Sequence, residues 1–184
     1  MLYRILAFFM LLCLIPVFLI VGIFIVLDDG FPLFFTQKRV GKEYTFFKLY
    51  KFRTMKKNTP NVATHLLENP AKYLLKPGSM LRKLSLDELP NLINIVKGDM
   101  VFVGPRPALY NQDDLMQLRI DSGVSHLKPG ITGWAQINGR DEISLEEKVT
   151  LEKEYLEKKS LAFDIKIFFM TFTSAFFKKE GVSH

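Results

Sequence analysis

The sequence predicts an α+β fold: an N-terminal re-entrant membrane helix, a small β-hairpin with further short strands, and several amphipathic helices at a membrane surface. Three observations predict it. Residues Ile5 to Leu27 carry no charge and are interrupted once, by Pro16. Two runs rich in Phe and Tyr then flank Val40-Gly41-Lys42. Beyond them, short amphipathic stretches alternate with Gly- and Pro-containing turns, with no internal repeat and no linker long enough to divide two domains. Residues 1–30 are therefore assigned to the membrane helix and residues 31–184 to one further domain.

A straight helix over Ile5 to Leu27 would be about 35 Å long, enough to cross a bilayer core. A signal peptide would need a small-residue cleavage site, and Leu27-Asp28-Asp29-Gly30-Phe31-Pro32 offers none. Pro16 removes one backbone hydrogen bond and crowds the carbonyl of Leu12, which predicts a kink. Arg4 precedes the run; Lys38, Arg39 and Lys42 follow it. Positive charge on both flanks disfavours sending either end outward. A helix that enters one leaflet, breaks at Pro16 and returns is thus favoured over a spanning one. Both ends, and the domain that follows, then lie on the cytoplasmic face.

Phe34 to Arg39, the Val40-Gly41-Lys42 turn and Tyr44 to Lys51 read as a β-hairpin. Asn58 to Pro77 is a polar, proline-bounded loop with a short helix. Ser79 is a candidate N-cap for a helix through Lys83. Ser85 and Glu88 have capping-box spacing. The helix they would open carries Leu89, Leu92, Ile93 and Val96 on one face, and Gly98 ends it. Met100 to Val103 reads as a strand, Gln112 to Ile120 as a helix, and Lys128 to Arg140 as a Gly-rich loop and strand. Ser144 and Glu147 form a second capping box, opening a charged helix to about Lys159. Asp164 to Phe177 is rich in Phe and Ile, and Lys178-Lys179 follows.

The 184 residues are 48% hydrophobic and carry a net charge of +6. Such charge suits nucleic acid, an anionic membrane or phosphorylated substrates. No zinc-finger, RNP or helix-turn-helix pattern supports nucleic acid, and the apolar segments support membrane lipid. Cys13 is the single cysteine, which excludes an internal disulfide and any cysteine-based zinc site. His65 and His126 stand alone in polar loops.

Three clusters can carry chemistry. Asp87 and Glu88 are adjacent carboxylates placed by the capping box in a first helical turn, where the helix dipole favours their ionised forms. Ordinary capping is the competing reading. Pro90 adds an irregularity, because its missing N–H falls where a bond to Leu86 would begin. In Gly104-Pro105-Arg106-Pro107 two prolines hold Arg106 on a stiff backbone, suited to presenting a guanidinium fork to phosphate. Arg82, five residues before Asp87, is placed to face the same cleft. Lys128-Pro129-Gly130-Ile131-Thr132-Gly133-Trp134 and Asn138-Gly139-Arg140 bring backbone N–H groups and an arginine together, without Walker or Rossmann spacing.

Four runs in this order resemble the bacterial sugar transferase family, small monotopic phosphoglycosyl transferases that start glycan assembly. They are Lys51-Phe52-Arg53-Thr54-Met55; Leu84 to Pro90 with Lys97-Gly98-Asp99-Met100; Gly104 to Pro107; and Lys128 to Gly133 running on to Asn138-Gly139-Arg140. The small form that initiates glycoprotein glycans is the most similar. The resemblance implies a catalytic domain on the cytoplasmic face of the bacterial inner membrane, Mg²⁺, a UDP-sugar donor and undecaprenyl phosphate as acceptor. It implies that Asp87 is the nucleophile and a metal contact, that Glu88 is its dyad partner, and that Arg82 and Arg106 lie near the bound phosphates. Lys51 and Arg140, inside the matching runs, are further candidate substrate contacts. One departure stands out: the family breaks its membrane helix at Ser-Pro, and this chain has Ile15-Pro16. Two other readings are a polyprenyl-phosphate glycosyltransferase, which would release UDP rather than UMP, and a non-catalytic membrane-surface anchor.

Overall fold

The structure, a computed structural model, describes residues 1–60, 69–139 and 143–177, with side chains to residue 171. The chain mixes helices with two small sheets. Helix α1 (Leu2–Asp29) stays helical through Pro16, so the proline does not divide it into two helices. Its side chains sort by face. Ala7, Val21 and Ile25 are buried, while Ile5, Phe8, Phe9, Leu12, Leu19, Ile23 and Leu27 are exposed.

The buried face of α1 is part of the core. Its N-terminal half packs with Leu49, Leu92, Ile95 and Met100, and its C-terminal half with Phe52, Leu75 and Leu81. Both ends are tied to the same body. Tyr3 donates its hydroxyl to the Asp164 carboxylate at 3.0 Å, and Arg4 Nε donates to the Val96 carbonyl at 2.7 Å. At the other end the backbone N–H of Lys76 donates to Asp28 at 2.8 Å, and that of Lys57 to Asp29 at 3.0 Å. Arg53, almost fully buried, donates to the Asp29 carboxylate and to the carbonyls of Gly30 and Pro32. Carbonyls at a helix C-terminus lack intrahelical donors, and here a buried guanidinium supplies them.

Strands β1 (Phe34–Val40) and β2 (Phe46–Phe52) form the expected hairpin, in antiparallel register from Phe34↔Phe52 to Val40↔Phe46. A 3₁₀ turn over Lys42–Tyr44 joins them, with Glu43 and Tyr44 at positive φ, so the connection is longer than the three-residue turn read from Gly41. Helices α2 (Pro70–Tyr73) and α3 (Gly78–Lys83) follow. Ser79 lies inside α3 rather than capping it. The helix starts two residues earlier, at Gly78, which turns tightly against Thr54, whose carbonyl would lie 2.3 Å from any Cβ there.

Ser85 is not an N-cap either. It sits in the left-handed region at φ 54° with no capping bond, and Leu86–Glu88 form a separate 3₁₀ turn. Helix α4 (Asn91–Lys97) begins only after Pro90. Pro90 has no N–H to give Leu86, so the backbone proceeds by three-residue bonds, Leu89 to Leu86 and Leu92 to Leu89, before the helix is established. The buried face of α4 also differs from the expected one. Leu92 and Ile95 are buried beside Asn91 and Asn94, whereas Ile93 and Val96 are only half-buried. Asn94 explains the shift. Its side chain accepts from the Tyr50 N–H and donates to the Lys48 carbonyl and to Asp99, fastening α4 to β2.

Strand β3 (Val101–Val103) leads through Gly104–Pro107 into β4 (Ala108–Leu109), which adds to the free edge of β1 as an unforeseen third strand. Helix α5 (Asp113–Asp121) then crosses to β5 (Gly130–Thr132), which pairs parallel to β3. A short helix, α6 (Trp134–Asn138), stands where loop and strand were expected, because Trp134 turns in to pack on Phe163 in the core beside Tyr155. Helix α7 (Leu145–Lys158) opens as expected, with the Glu147 N–H donating to Ser144 Oγ at 3.1 Å. Helix α8 (Leu161–Phe177) buries Asp164 and Ile167 and exposes Leu161, Ile165, Phe168 and Phe169.

Between β3 and β5 the backbones themselves touch. A Cβ on Gly104 would meet the Lys128 carbonyl at 2.4 Å, and one on Gly133 would meet the Gly104 carbonyl at 2.2 Å. Neither obstacle is a flexible side chain. Gly104→Ala is therefore expected to cost about 1–3 kcal/mol, the range for overpacking a filled interior, read as a lower thermal unfolding midpoint of the detergent-purified protein. An unchanged midpoint would mean that the two strands can separate at no cost.

Candidate active site

The 3₁₀ turn that Pro90 enforces holds Asp87 and Glu88 at the side of a cavity of about 380 Å³. Lys51 from β2, Arg82 from α3 and Arg106 from the Gly104–Pro107 segment line the same cavity, so the structure brings these sequence-predicted residues together. Arg140 lies outside the described residues. The opposite wall comes from Thr132, Gly133, Trp134 and Gln136, with Lys148 and Glu152 from α7.

Glu88 is the charge-paired member of the dyad. Lys51 Nζ lies 2.7 Å from its Oε1, and Arg106 Nη1 lies 3.9 Å from the same oxygen. Arg82 is steadied from the side, its Nε donating to Thr54 Oγ1 at 3.0 Å. Asp87 behaves differently from the dipole argument. Burial raises its pKa above the ordinary carboxylate value; Lys51 opposes this, Glu88 adds to it, and Arg82 with a backbone hydrogen bond opposes it again. The correction has a physical origin: the carboxylates precede α4 by a whole 3₁₀ turn, and loss of water outweighs any benefit from that helix end.

Arg39, on β1, was not foreseen as part of the site. It lies near Glu88 and Arg106, and its pKa falls to about 10, first through burial, then through repulsion from Arg106, with Glu88 opposing. It stays charged at neutral pH. Lys51, Arg82 and Arg106 thus gather around two carboxylates, an excess of positive charge suited to a phosphorylated ligand, with Arg39 behind them in a small adjoining pocket. Arg39 escaped the sequence reading because it resembled an ordinary flanking charge. Glu152 escaped because it sits in a helix rich in charged residues; it is buried against Arg119 of α5, a pairing 33 residues apart that no local pattern signals.

Comparison with known proteins shows the family. Residues 1–178 match the bacterial sugar transferase family, and the chain belongs to it. It is 43% identical over 167 residues to an uncharacterized sugar transferase, EpsL, of Bacillus subtilis (strain 168), covering 90% of this chain and 80% of that protein. It is 39% identical over 183 residues to the UDP-glucose:undecaprenyl-phosphate glucose-1-phosphate transferase of Escherichia coli (strain K12), covering 95% of this chain but 39% of that longer protein. It is 36% identical over 160 residues to the undecaprenyl-phosphate galactose phosphotransferase of Salmonella typhimurium (strain LT2), covering 78% of this chain and 33% of the relative.

Because burial makes the ionised Asp87 costly, Asp87→Asn should raise stability. The folded pKa exceeds the unfolded one, so the wild-type cost is absent below the ordinary carboxylate pKa and fully present above the raised folded value. Melting curves of the two proteins should coincide in acid and separate towards neutral pH, with the Asn variant higher. A wild type that is the more stable at pH 7 would mean that Lys51 and Arg82 outweigh burial.

Proposed function

We propose that the chain is a phosphoglycosyl transferase that moves a sugar 1-phosphate from a UDP-sugar to undecaprenyl phosphate, with release of UMP. The observation that carries this reading is the convergence in one cavity of a part-buried carboxylate with cations from separate segments. Family membership, and two relatives named as undecaprenyl-phosphate sugar phosphotransferases, support the acceptor and the reaction class. Those two relatives are named for different sugars, so what they share is the phosphotransfer.

The reaction takes two displacements at one phosphorus. An Asp87 oxygen attacks the phosphorus that bears the sugar, and the bond to UMP breaks, UMP leaving with the electron pair. An oxygen of undecaprenyl phosphate then attacks that phosphorus and returns Asp87 to its carboxylate form. Burial of Asp87 helps here, since a poorly solvated carboxylate is more basic and needs less desolvation to attack. Glu88, held by Lys51, keeps that lysine and Arg106 on the side of the departing phosphate. Arg82 and Arg106 offset the charge of the donor diphosphate.

Among the described residues no group of three or more His, Cys, Asp or Glu side chains converges as a metal cage. The carboxylates fit Mg²⁺, which commonly takes one or two carboxylates and completes its shell with substrate phosphates and water. Asp87 is the residue that would hold it, and the ion would draw charge from the leaving phosphate.

The exposed apolar faces of α1 and α8 support a monotopic placement on the cytoplasmic face of the inner membrane. Both ends of α1 are bonded to one body, which suits a helix that keeps its ends on the same side. The undecaprenyl tail would then stay in lipid while its phosphate reaches the cavity.

Incubating the purified protein with a panel of UDP-sugars, Mg²⁺ and undecaprenyl phosphate should release UMP, and intact-mass spectrometry should show a phosphosugar adduct at Asp87. Release of UDP, or an adduct elsewhere, overturns the reading. Arg106→Lys should lower kcat/KM by about 2 kcal/mol, roughly thirtyfold, since lysine lacks the planar fork of a charged two-point contact. Wild-type kinetics would reduce Arg106 to a turn residue. For topology, single cysteines at Leu2→Cys and Phe31→Cys in a Cys13→Ala background should both resist an impermeant thiol reagent in intact cells and react after the inner membrane is opened. Labelling of either site from the periplasm means that α1 spans.

A further inference from the structure

Gly104-Pro105-Arg106-Pro107 has few donors of its own, because neither proline has an N–H. Its carbonyls are nevertheless satisfied one after another. The Pro105 carbonyl accepts from the Gly130 N–H at 2.9 Å. The Arg106 carbonyl accepts from Arg119 Nη2 at 3.0 Å, and the Pro107 carbonyl from Arg39 Nη1 at 2.9 Å. We infer that Arg39 and Arg119 are positioning residues that fix the Arg106 guanidinium by clamping its backbone from two sides. The inference rests on the proposed function, in which Arg106 is a ligand of the donor diphosphate.

Neither Arg39 nor Arg119 lines the cavity that holds Asp87, so neither is placed to touch the donor itself. Each is held by its own support. Arg119 is 5% exposed, and Glu152 grips it through Nε at 2.7 Å and Nη2 at 2.5 Å. A buried ion pair is a weak source of net stability, because desolvation offsets most of the attraction. What the pair does achieve is orientation: α7 holds the guanidinium of α5 so that one nitrogen also meets the Arg106 carbonyl. On the other side Arg39 Nη2 donates to Gln37 Oε1 at 2.6 Å. Arg39 also belongs to the stretch of β1 that pairs with β4, the strand that follows Pro107, so the clamp is continuous with the sheet.

The alternative would be to leave these carbonyls to water, which can reorient when a charged ligand enters. Two fixed forks cannot. The arrangement resists the pull of a diphosphate on Arg106, and the geometry of the site is set before the ligand arrives.

A double-mutant cycle on ligand binding separates this role from a general structural one. The probe is inorganic pyrophosphate with Mg²⁺, titrated by calorimetry into the detergent-purified full chain. Its binding needs a diphosphate site but no nucleotide and no turnover. Arg39→Lys and Arg119→Lys should each weaken binding about fivefold or more, the size of coupling seen between residues in one network. In an Arg106→Ala background, itself weaker, neither substitution should weaken it further. Equal losses in both backgrounds, no loss in either, or no pyrophosphate binding by the wild type overturns the inference. If Arg119→Lys does not fold, Arg39→Lys alone decides, because it lies on the hairpin and leaves the Arg119–Glu152 pair intact. Absence of UMP release by a wild type that shows the expected coupling would count against the proposed reaction and leave the clamp standing.

Discussion

The site depends on one steric constraint: the backbones of β3 and β5 meet with no side chain between them. Gly104, Gly130 and Gly133 each sit where a Cβ would strike main-chain atoms closer than 3.0 Å. That contact brings the start of the Gly104–Pro107 segment against Thr132 and Gly133 and starts the chain on its turn towards Glu88. It also lets the parallel pair be short, because main-chain packing and the Gly104 N–H to Thr132 carbonyl bond replace a longer ladder. Hydrophobic burial around Val103, Val124, Leu127 and Ile167 packs against the end of β3.

Around that junction the two neighbouring carboxylates are treated differently. Asp87 is kept partly from water, which raises the energy of its ionised form; Glu88 is given the close cation instead. The difference comes from backbone shape. Pro90 prevents a regular helix through Leu86, and the resulting 3₁₀ turn sends the two neighbouring carboxylates into different surroundings. Two acidic groups adjacent in sequence thereby acquire different electrostatic surroundings within a single turn.

Much of this was legible in the residues. The hairpin, α5 and α7 follow from apolar period, caps and turn chemistry; Asp87, Glu88, Arg82 and Arg106 were candidates from their local chemistry, and Lys51 through the family resemblance alone. What escaped had two causes, a local proline and partners distant in sequence. Ser85-Leu86-Asp87-Glu88 has capping-box spacing, yet Pro90 overrode it. Leu92 was rightly placed inside, but Asn94 rotated the buried face of α4 because its amide satisfies groups on β2. Trp134 drew a loop into a helix by packing on Phe163. Arg39 and Glu152 read as surface charges because their partners, Pro107 and Arg119, are brought to them only by the sheet and the helix pair.

The tethers at the start of α1 impose an order on synthesis. Tyr3 is bonded 161 residues downstream and Arg4 92 residues downstream. At common elongation rates the ribosome needs roughly ten to thirty seconds to deliver the later of these partners. Most of the surface that α1 packs on, from Leu49 to Met100, is delivered earlier in that interval, but the Tyr3 tether closes only once Asp164 has emerged. The start of α1 is therefore the last part of that helix to be fastened, long after its C-terminal half can pack on Phe52, Leu75 and Leu81.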